Sequence, residues 1–300
     1  MLGQLMKGSK SLAPQRPGRS DDPIATTSFQ PEIRKLMSGD SQTTRVELSY
    51  DKQVARLLVS FPERRNPIGT ETAALIGDRL LEVEANPEAR AIVITGDGDS
   101  FSSGGDLREF LATTSALPTD HWETGGPWGR LYTLLRTVSK PTICRVHGPA
   151  MAGGCGIVAS CDFAIASDIS SFATPEAKIG LFPLFILPSL IRAIGRRNAV
   201  DMCLTGRIVQ APEAAAMGLI NRCVPLSELD GEVDALAAQL AAIGPLTMKM
   251  GKRSFNEIAE MDFAHGIETA RAMRIPFMGS PELQEGISKF LAKSGAKPRG

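Results

Sequence analysis

Three stretches carry residue types and spacings that could do chemistry: Phe101-Ser-Ser-Gly-Gly-Asp-Leu107, His147-Gly-Pro-Ala-Met-Ala-Gly-Gly-Cys155 and Phe172-Ala-Thr-Pro-Glu-Ala-Lys-Ile-Gly-Leu-Phe-Pro183. In the first two, glycine-rich backbone follows an apolar run, which frees main-chain N–H groups to point at an oxygen atom. A helix starting at Gly153 would add the positive potential of its N-terminus. Glycine in a helix interior costs about 1 kcal/mol against alanine, so Gly153, Gly154 and Gly156 crowded at a helix entrance point to close approach, by a packed neighbour or by a ligand. The third stretch holds one carboxylate, Glu176. Each stretch alone is weak, because glycine after a strand is commonly an ordinary turn.

The elements around these stretches read as α/β. Residues 46–51 and 54–61 read as two strands with a turn at Asp51-Lys52, and residues 62–67 make a loop. An amphipathic helix spans 71–84, and residues 91–95 are wholly apolar, as in a strand covered on both faces. A further strand, 141–146, leads into a helix over 153–161, and residues 163–166 make the next strand. Helix and strand alternate, which implies a parallel sheet. From 226 the pattern is helical, with candidate helices at 228–243, 247–260, 263–273 and 281–293, so the chain divides into an extension (1–40), an α/β core (41–225) and a helical C-terminal region (226–300).

Composition excludes several classes. The 300 residues are 43% hydrophobic and 22% charged, with Lys plus Arg equal to Asp plus Glu at 33 each, so no global field favours nucleic acid or an anionic membrane. The apolar run around 179–191 is broken by Gly180, Pro183 and Pro188 and is too short to span a bilayer. The five cysteines form no CxxC, and three histidines without metal spacing argue against zinc, so the thiols read as reduced and buried. Asp97-Gly-Asp99 fails as a calcium loop, because Ser102 falls at the required glycine and Arg108 at the bidentate glutamate. His147 reads as structural and Asp162 as a cap or turn residue. Residues 1–40 are rich in Ser, Pro and Gly, and the first twenty carry Lys7, Lys10, Arg16 and Arg19 without an acid, a composition that fits a tail or a transit peptide. The location expected is the cytoplasm, or the mitochondrion if 1–40 is a transit peptide.

Together, and in this order, the three stretches resemble the crotonase superfamily, the enoyl-CoA hydratase/isomerase proteins. The likeness runs from about Val46 to the C-terminus and includes Leu204-Thr-Gly206, Ala214-Ala-Ala-Met-Gly-Leu-Ile-Asn221 and residues 285–293. The resemblance implies a spiral of repeated ββα units, assembly as a homotrimer or a hexamer, and an acyl-CoA thioester as substrate. It implies that two backbone N–H groups, those of Ser103 and Gly153, hold the thioester oxygen as it becomes an enolate. Removing one such donor elsewhere has cost about 3 to 4 kcal/mol. A competing role for Ser103 as nucleophile lacks a basic partner nearby in sequence.

By the same resemblance Glu176 is the acid/base, while the family's other catalytic glutamate falls on Gly156, which carries no proton. Leu184 stands where the thioester-hydrolase branch has Asp, and 183–188 reads Pro-Leu-Phe-Ile-Leu-Pro, which makes the acyl end apolar. The coenzyme A part of the substrate is expected at Arg64, Arg65, Pro67 and Ile68, at Gly104, Gly105 and Asp106, and at Phe290 and Lys293, with Gly156 and Leu184 beside the acyl group. Arginine suits a phosphate, because a guanidinium is a permanently charged fork. No cofactor is implied beyond coenzyme A itself, and no nucleic acid or membrane. The reaction expected first is addition of water to a 2-enoyl-CoA, with double-bond isomerisation as the alternative. A non-catalytic scaffold or RNA binder is the alternative of another class.

Overall fold

The computed structural model describes residues 44–294, with side chains through residue 292; the extension at 1–40 and the Lys293 side chain lie outside what it describes. Two β-rich runs, β1 (Arg45–Asp51) and β2 (Val54–Ser60), pair as an antiparallel hairpin in the register Tyr50↔Ala55. The two-residue strand β3 (Pro67–Ile68) precedes helix α1 (Thr70–Ala85), which leads to β4 (Ala91–Gly96). Next come β5 (Gly104–Gly105), α2 (Leu107–Thr113), α3 (Pro118–Thr137), β6 (Thr142–Val146), β7 (Ala150–Met151), α4 (Gly153–Ser160), β8 (Phe163–Ser167) and β9 (Ser171–Ala173). The described chain ends in α5 (Leu187–Thr205), β10 (Val209–Gln210), α6 (Ala211–Met217), β11 (Arg222–Val224), α7 (Leu229–Ala241), α8 (Pro245–Ile258), α9 (Phe263–Met273), α10 (Ile275–Met278) and α11 (Pro281–Ser294).

The main sheet runs β1-β2-β4-β6-β8-β11, parallel from β2 onward. Successive side chains of a strand point to opposite faces, and both faces are covered. Ile92 and Ile94 pack with Ile76 and Leu80 of α1, Leu131 and Leu135 of α3 and Ile157 of α4. Ala91 and Val93 pack with Leu229, Val233, Leu236 and Leu240 of α7. The first C-terminal helix is therefore a layer of the core, and Met248 of α8 packs against the same cluster.

Helix α3 has no counterpart in the sequence reading. Gly125, Gly126 and Pro127 lie inside it, and a proline there removes a main-chain donor. Burial of Trp128, Leu131, Tyr132 and Leu135, spaced as one helical face, outweighs that local penalty. Asp162 does more than end a helix. Its Oδ2 accepts the Thr142 N–H at 2.8 Å and the nearly buried Lys252 ammonium of α8 at 2.6 Å, and Lys252 also donates to Lys140 O at 3.1 Å. The pair ties α8 to the start of β6, and such a buried cation is tolerable only with this full set of acceptors.

The described cysteines are all free, with Cys144 Sγ 3.3 Å from Cys161 Sγ. Among the described residues no helix is long and apolar enough to cross a membrane, and no three His, Cys, Asp or Glu side chains gather as a metal site. His147 is buried and its Nε2 lies 3.0 Å from Gly98 O, a structural role.

Candidate active site

Short ladders bring the three stretches together. Phe101 N and Ser102 N donate to Pro149 O at 3.0 and 3.1 Å, and Met151 N donates to Ser102 O at 2.9 Å. Strand β7 pairs in parallel with β9, Ala150 opposite Phe172, and Ala152 N donates to Ala173 O at 2.8 Å. Past β9 the chain enters a 3₁₀ turn, Pro175–Ile179, which carries Glu176. Between these segments lies a cleft of about 570 Å³. Of the residues singled out in the sequence, Ser103, Gly105, Gly153, Glu176 and Leu184 line it.

The donor positions differ from expectation in one place. The Ser103 N–H donates to Arg65 O at 2.7 Å, which takes it out of the oxyanion role. Asp106 N donates to Ile68 O at 3.1 Å, and adjacent N–H groups of an extended strand point to opposite sides, which makes the neighbouring cleft-lining Gly105 the candidate donor in place of Ser103. Gly153 opens α4, where a first-turn N–H has no intrahelical acceptor. Gly104 is a packing residue: it sits at φ 92°, and a Cβ there would fall 2.5 Å from Ala152 Cβ and 2.8 Å from Met151 O.

Glu176 Oε2 is buried with no hydrogen-bond partner. Burial pushes the carboxyl above the usual glutamate range, while an interaction with its own main-chain N–H pulls the other way. The other carboxylate on the cleft wall, Glu109, is engaged elsewhere: it accepts the Thr70 N–H at 2.8 Å and the Thr70 hydroxyl, capping α1. Glu176 is therefore the lining carboxylate with an unpaired oxygen. Tyr132 stands close by, its phenol raised by burial first and by the Glu176 charge second, so it stays protonated.

Gly156 does not line the cleft, contrary to its expected place beside the acyl group. A Cβ at that position would run into Ile186 Cγ2, would lie 2.7 Å from Ile186 Cβ and would lie 3.1 Å from Tyr132 Cε1. The room that a second glutamate would need is filled by Ile186 and Tyr132. Gly156→Ala is accordingly expected to lower the unfolding free energy by about 1–3 kcal/mol, the scale of overpacking. In an Ile186→Ala background the added cost should shrink, and a double-mutant cycle from urea melts measures the coupling. Equal costs in both backgrounds would show that the two side chains do not compete for one space.

The residues expected to hold coenzyme A are spread over different surroundings. Arg64 Nη2 lies 2.8 Å from Asp106 Oδ1, and its guanidinium stacks 5.4 Å from the Phe61 ring centroid. Asp106 also caps α2 through Arg108 N at 3.0 Å, so both charges are partnered. Arg65 is exposed and makes no side-chain hydrogen bond, which leaves it as the free cation of the loop. Pro67 and Ile68 are buried in β3 and offer no side-chain contact to a ligand. Phe290 is 72% exposed and belongs to a separate groove among the C-terminal helices, away from the cleft of the same chain.

Sequence reasoning missed Leu107, Phe110, Trp128 and Tyr132 as cleft residues. The signal was present: Trp128, Leu131, Tyr132 and Leu135 recur at helical spacing, hidden behind the Gly-Gly-Pro interruption. Phe182, Phe185 and Ile186 add further apolar lining to the cleft.

Comparison with known proteins adds an independent line. The family model described as enoyl-CoA hydratase/isomerase matches residues 50–297. A putative enoyl-CoA hydratase from Thermus thermophilus is 34% identical over 240 residues, 80% of this chain and 95% of that protein. The rat mitochondrial enoyl-CoA hydratase domain-containing protein 3 is 33% identical over 272 residues, 90% of each chain. The crystal structure of its human namesake superposes with a TM-score of 0.79 at 30% identity, covering 85% of this chain and 99% of that one.

Proposed function

The chain belongs to the enoyl-CoA hydratase/isomerase family of the crotonase superfamily, and on that footing we propose that it is an acyl-CoA enzyme that shifts the double bond of an enoyl-CoA, with Glu176 as sole acid/base. In this reading the Glu176 carboxylate takes a proton from C2 of a 3-enoyl-CoA. The electron pair moves into the thioester, whose oxygen gathers negative charge between the N–H groups of Gly105 and Gly153. The protonated carboxyl then returns its proton to C4, which leaves the conjugated 2-enoyl-CoA and regenerates the base. Proton affinity raised by burial suits this step, because a carboxyl that holds its proton more tightly is a stronger base toward carbon.

One observation favours isomerisation over hydration: the position of the missing second acid is occupied by Ile186 and Tyr132. A water molecule poised for addition gains from two flanking acid/base groups, and here the second flank is hydrocarbon. Coenzyme A is the only carrier group the reaction needs. Arg65 is the candidate for a phosphate contact. Helices α8 to α11, which expose Phe255, Phe263, Ile275 and Phe290, are the candidate face for self-association as a trimer or hexamer.

The test is to give the purified protein 3-hexenoyl-CoA and 2-hexenoyl-CoA separately and follow thioester conjugation by absorbance and products by mass. Conjugation appearing from the 3-enoyl substrate with no change of mass is the expected result. Gain of one water by the 2-enoyl substrate, with the 3-enoyl substrate inert, would assign hydration. Inertness toward both would favour a non-catalytic role.

A further inference from the structure

The Gly153 donor stands on a strained support. Ala152, the residue before it, holds φ 48° and ψ −121°, a conformation that a residue with a Cβ disfavours. Such a geometry persists only where neighbours determine it. On one side Ala152 N is fastened to Ala173 O at 2.8 Å, and on another the Ala152 Cβ presses on Gly104, which has no side chain to collide with. The third restraint comes from α3. The buried Tyr132 hydroxyl donates to Gly153 O at 3.1 Å, and its ring stacks on Trp128 with centroids 6.2 Å apart. A buried phenol must find an acceptor, and this one takes the carbonyl of the residue whose N–H faces the cleft.

We propose that Tyr132 is a positioning residue, which by donating its hydroxyl to Gly153 O locks the first turn of α4 so that the Gly153 N–H stays aimed at the thioester oxygen. The inference rests on the reading of Gly153 as an oxyanion donor. It separates the hydroxyl from the ring: the ring fills the space beside Gly156 and Trp128, whereas the hydroxyl fixes a direction.

Tyr132→Phe keeps the ring and removes only the hydrogen bond. With 2,4-hexadienoyl-CoA as probe, the parent protein is expected to shift the absorption of the bound thioester to longer wavelength, because an aimed N–H polarises the conjugated carbonyl. In Tyr132→Phe most of that shift should disappear, with kcat on an enoyl-CoA substrate down by about tenfold, the worth of one hydrogen bond at its upper range, and KM little changed. A packing role alone would leave the band shift intact. Full band shift in Tyr132→Phe, whatever its kcat, overturns the proposal. Leu131→Val, which loosens the packing of α3 at a buried position off the cleft but retains the Tyr132 hydroxyl, is expected to keep the shift. Its loss there would assign the effect to packing and overturn the proposal even if Tyr132→Phe folds poorly. A parent protein that binds the probe without any shift would instead remove the donor reading of Gly153, and the role of Tyr132 with it.

Discussion

Glu176→Gln is expected to lower kcat by about a hundred- to ten-thousand-fold, the range carried by a single general acid/base, while leaving acyl-CoA affinity within a few-fold. The amide keeps the shape of the side chain and loses the base. Steady-state kinetics on 3-hexenoyl-CoA, paired with calorimetric titration of a non-reacting acyl-CoA, separate the two effects. Retained turnover would assign the proton to another group. The same variant has a stability signature. Burial raises the folded-state affinity of Glu176 for its proton above that of the unfolded chain, so the stability contributed by this group is full below the unfolded value, near 4.3, and is lost as pH rises through the folded one. At neutral pH the buried carboxylate therefore weakens the fold. Glu176→Gln should melt higher than the parent at neutral pH, with the difference vanishing in acid. The parent's kcat/KM should fall on the acid side at a pH above the ordinary glutamate range, because only the ionised carboxylate is a base.

Gly153→Pro is expected to reduce kcat by at least about a hundredfold, the scale seen when one oxyanion donor is deleted. Proline suits the first position of a helix, where its missing N–H breaks no helical bond. Two local costs need a control. A Cβ at 153 falls 3.0 Å from Trp128 and 3.1 Å from the Tyr132 hydroxyl, and proline also restricts the residue before it, here the strained Ala152. Gly153→Ala adds the same Cβ but keeps the N–H. The ratio of the two variants' rates, taken with matched circular dichroism and melting temperature, isolates the donor. Ground-state binding should survive better than turnover, since the N–H is worth most when the oxygen carries negative charge. A folded Gly153→Pro protein as fast as Gly153→Ala would leave the Gly153 N–H with no part in the reaction.

Features that depend on local pattern were legible in the amino-acid order alone. Alternation set β1, β-rich composition set β2, the apolar run at 91–95 set a strand covered on both faces, and the order of the two glycine stretches and the Pro-Glu turn marked the family. These features are legible because side-chain direction along a strand and the conformational range of glycine are properties of neighbouring residues. Tertiary structure decided what depends on a partner far along the chain. The Ser103 N–H meets Arg65 O beside β3 and is lost to the cleft, and nothing within 101–107 says so. Gly156 reads as an absent acid in sequence. Only the packing of Ile186 and Tyr132 over it reveals that the vacated volume is hydrocarbon rather than water or substrate. Tyr132 itself sits in a helix whose Gly-Gly-Pro interruption argues locally against helix, and burial of one face against the sheet overrules that local preference. The residues present and their order were enough to recognise the family. The aim of each N–H, and the volume left around one carboxylate, are set by contacts that exist only once the chain is folded.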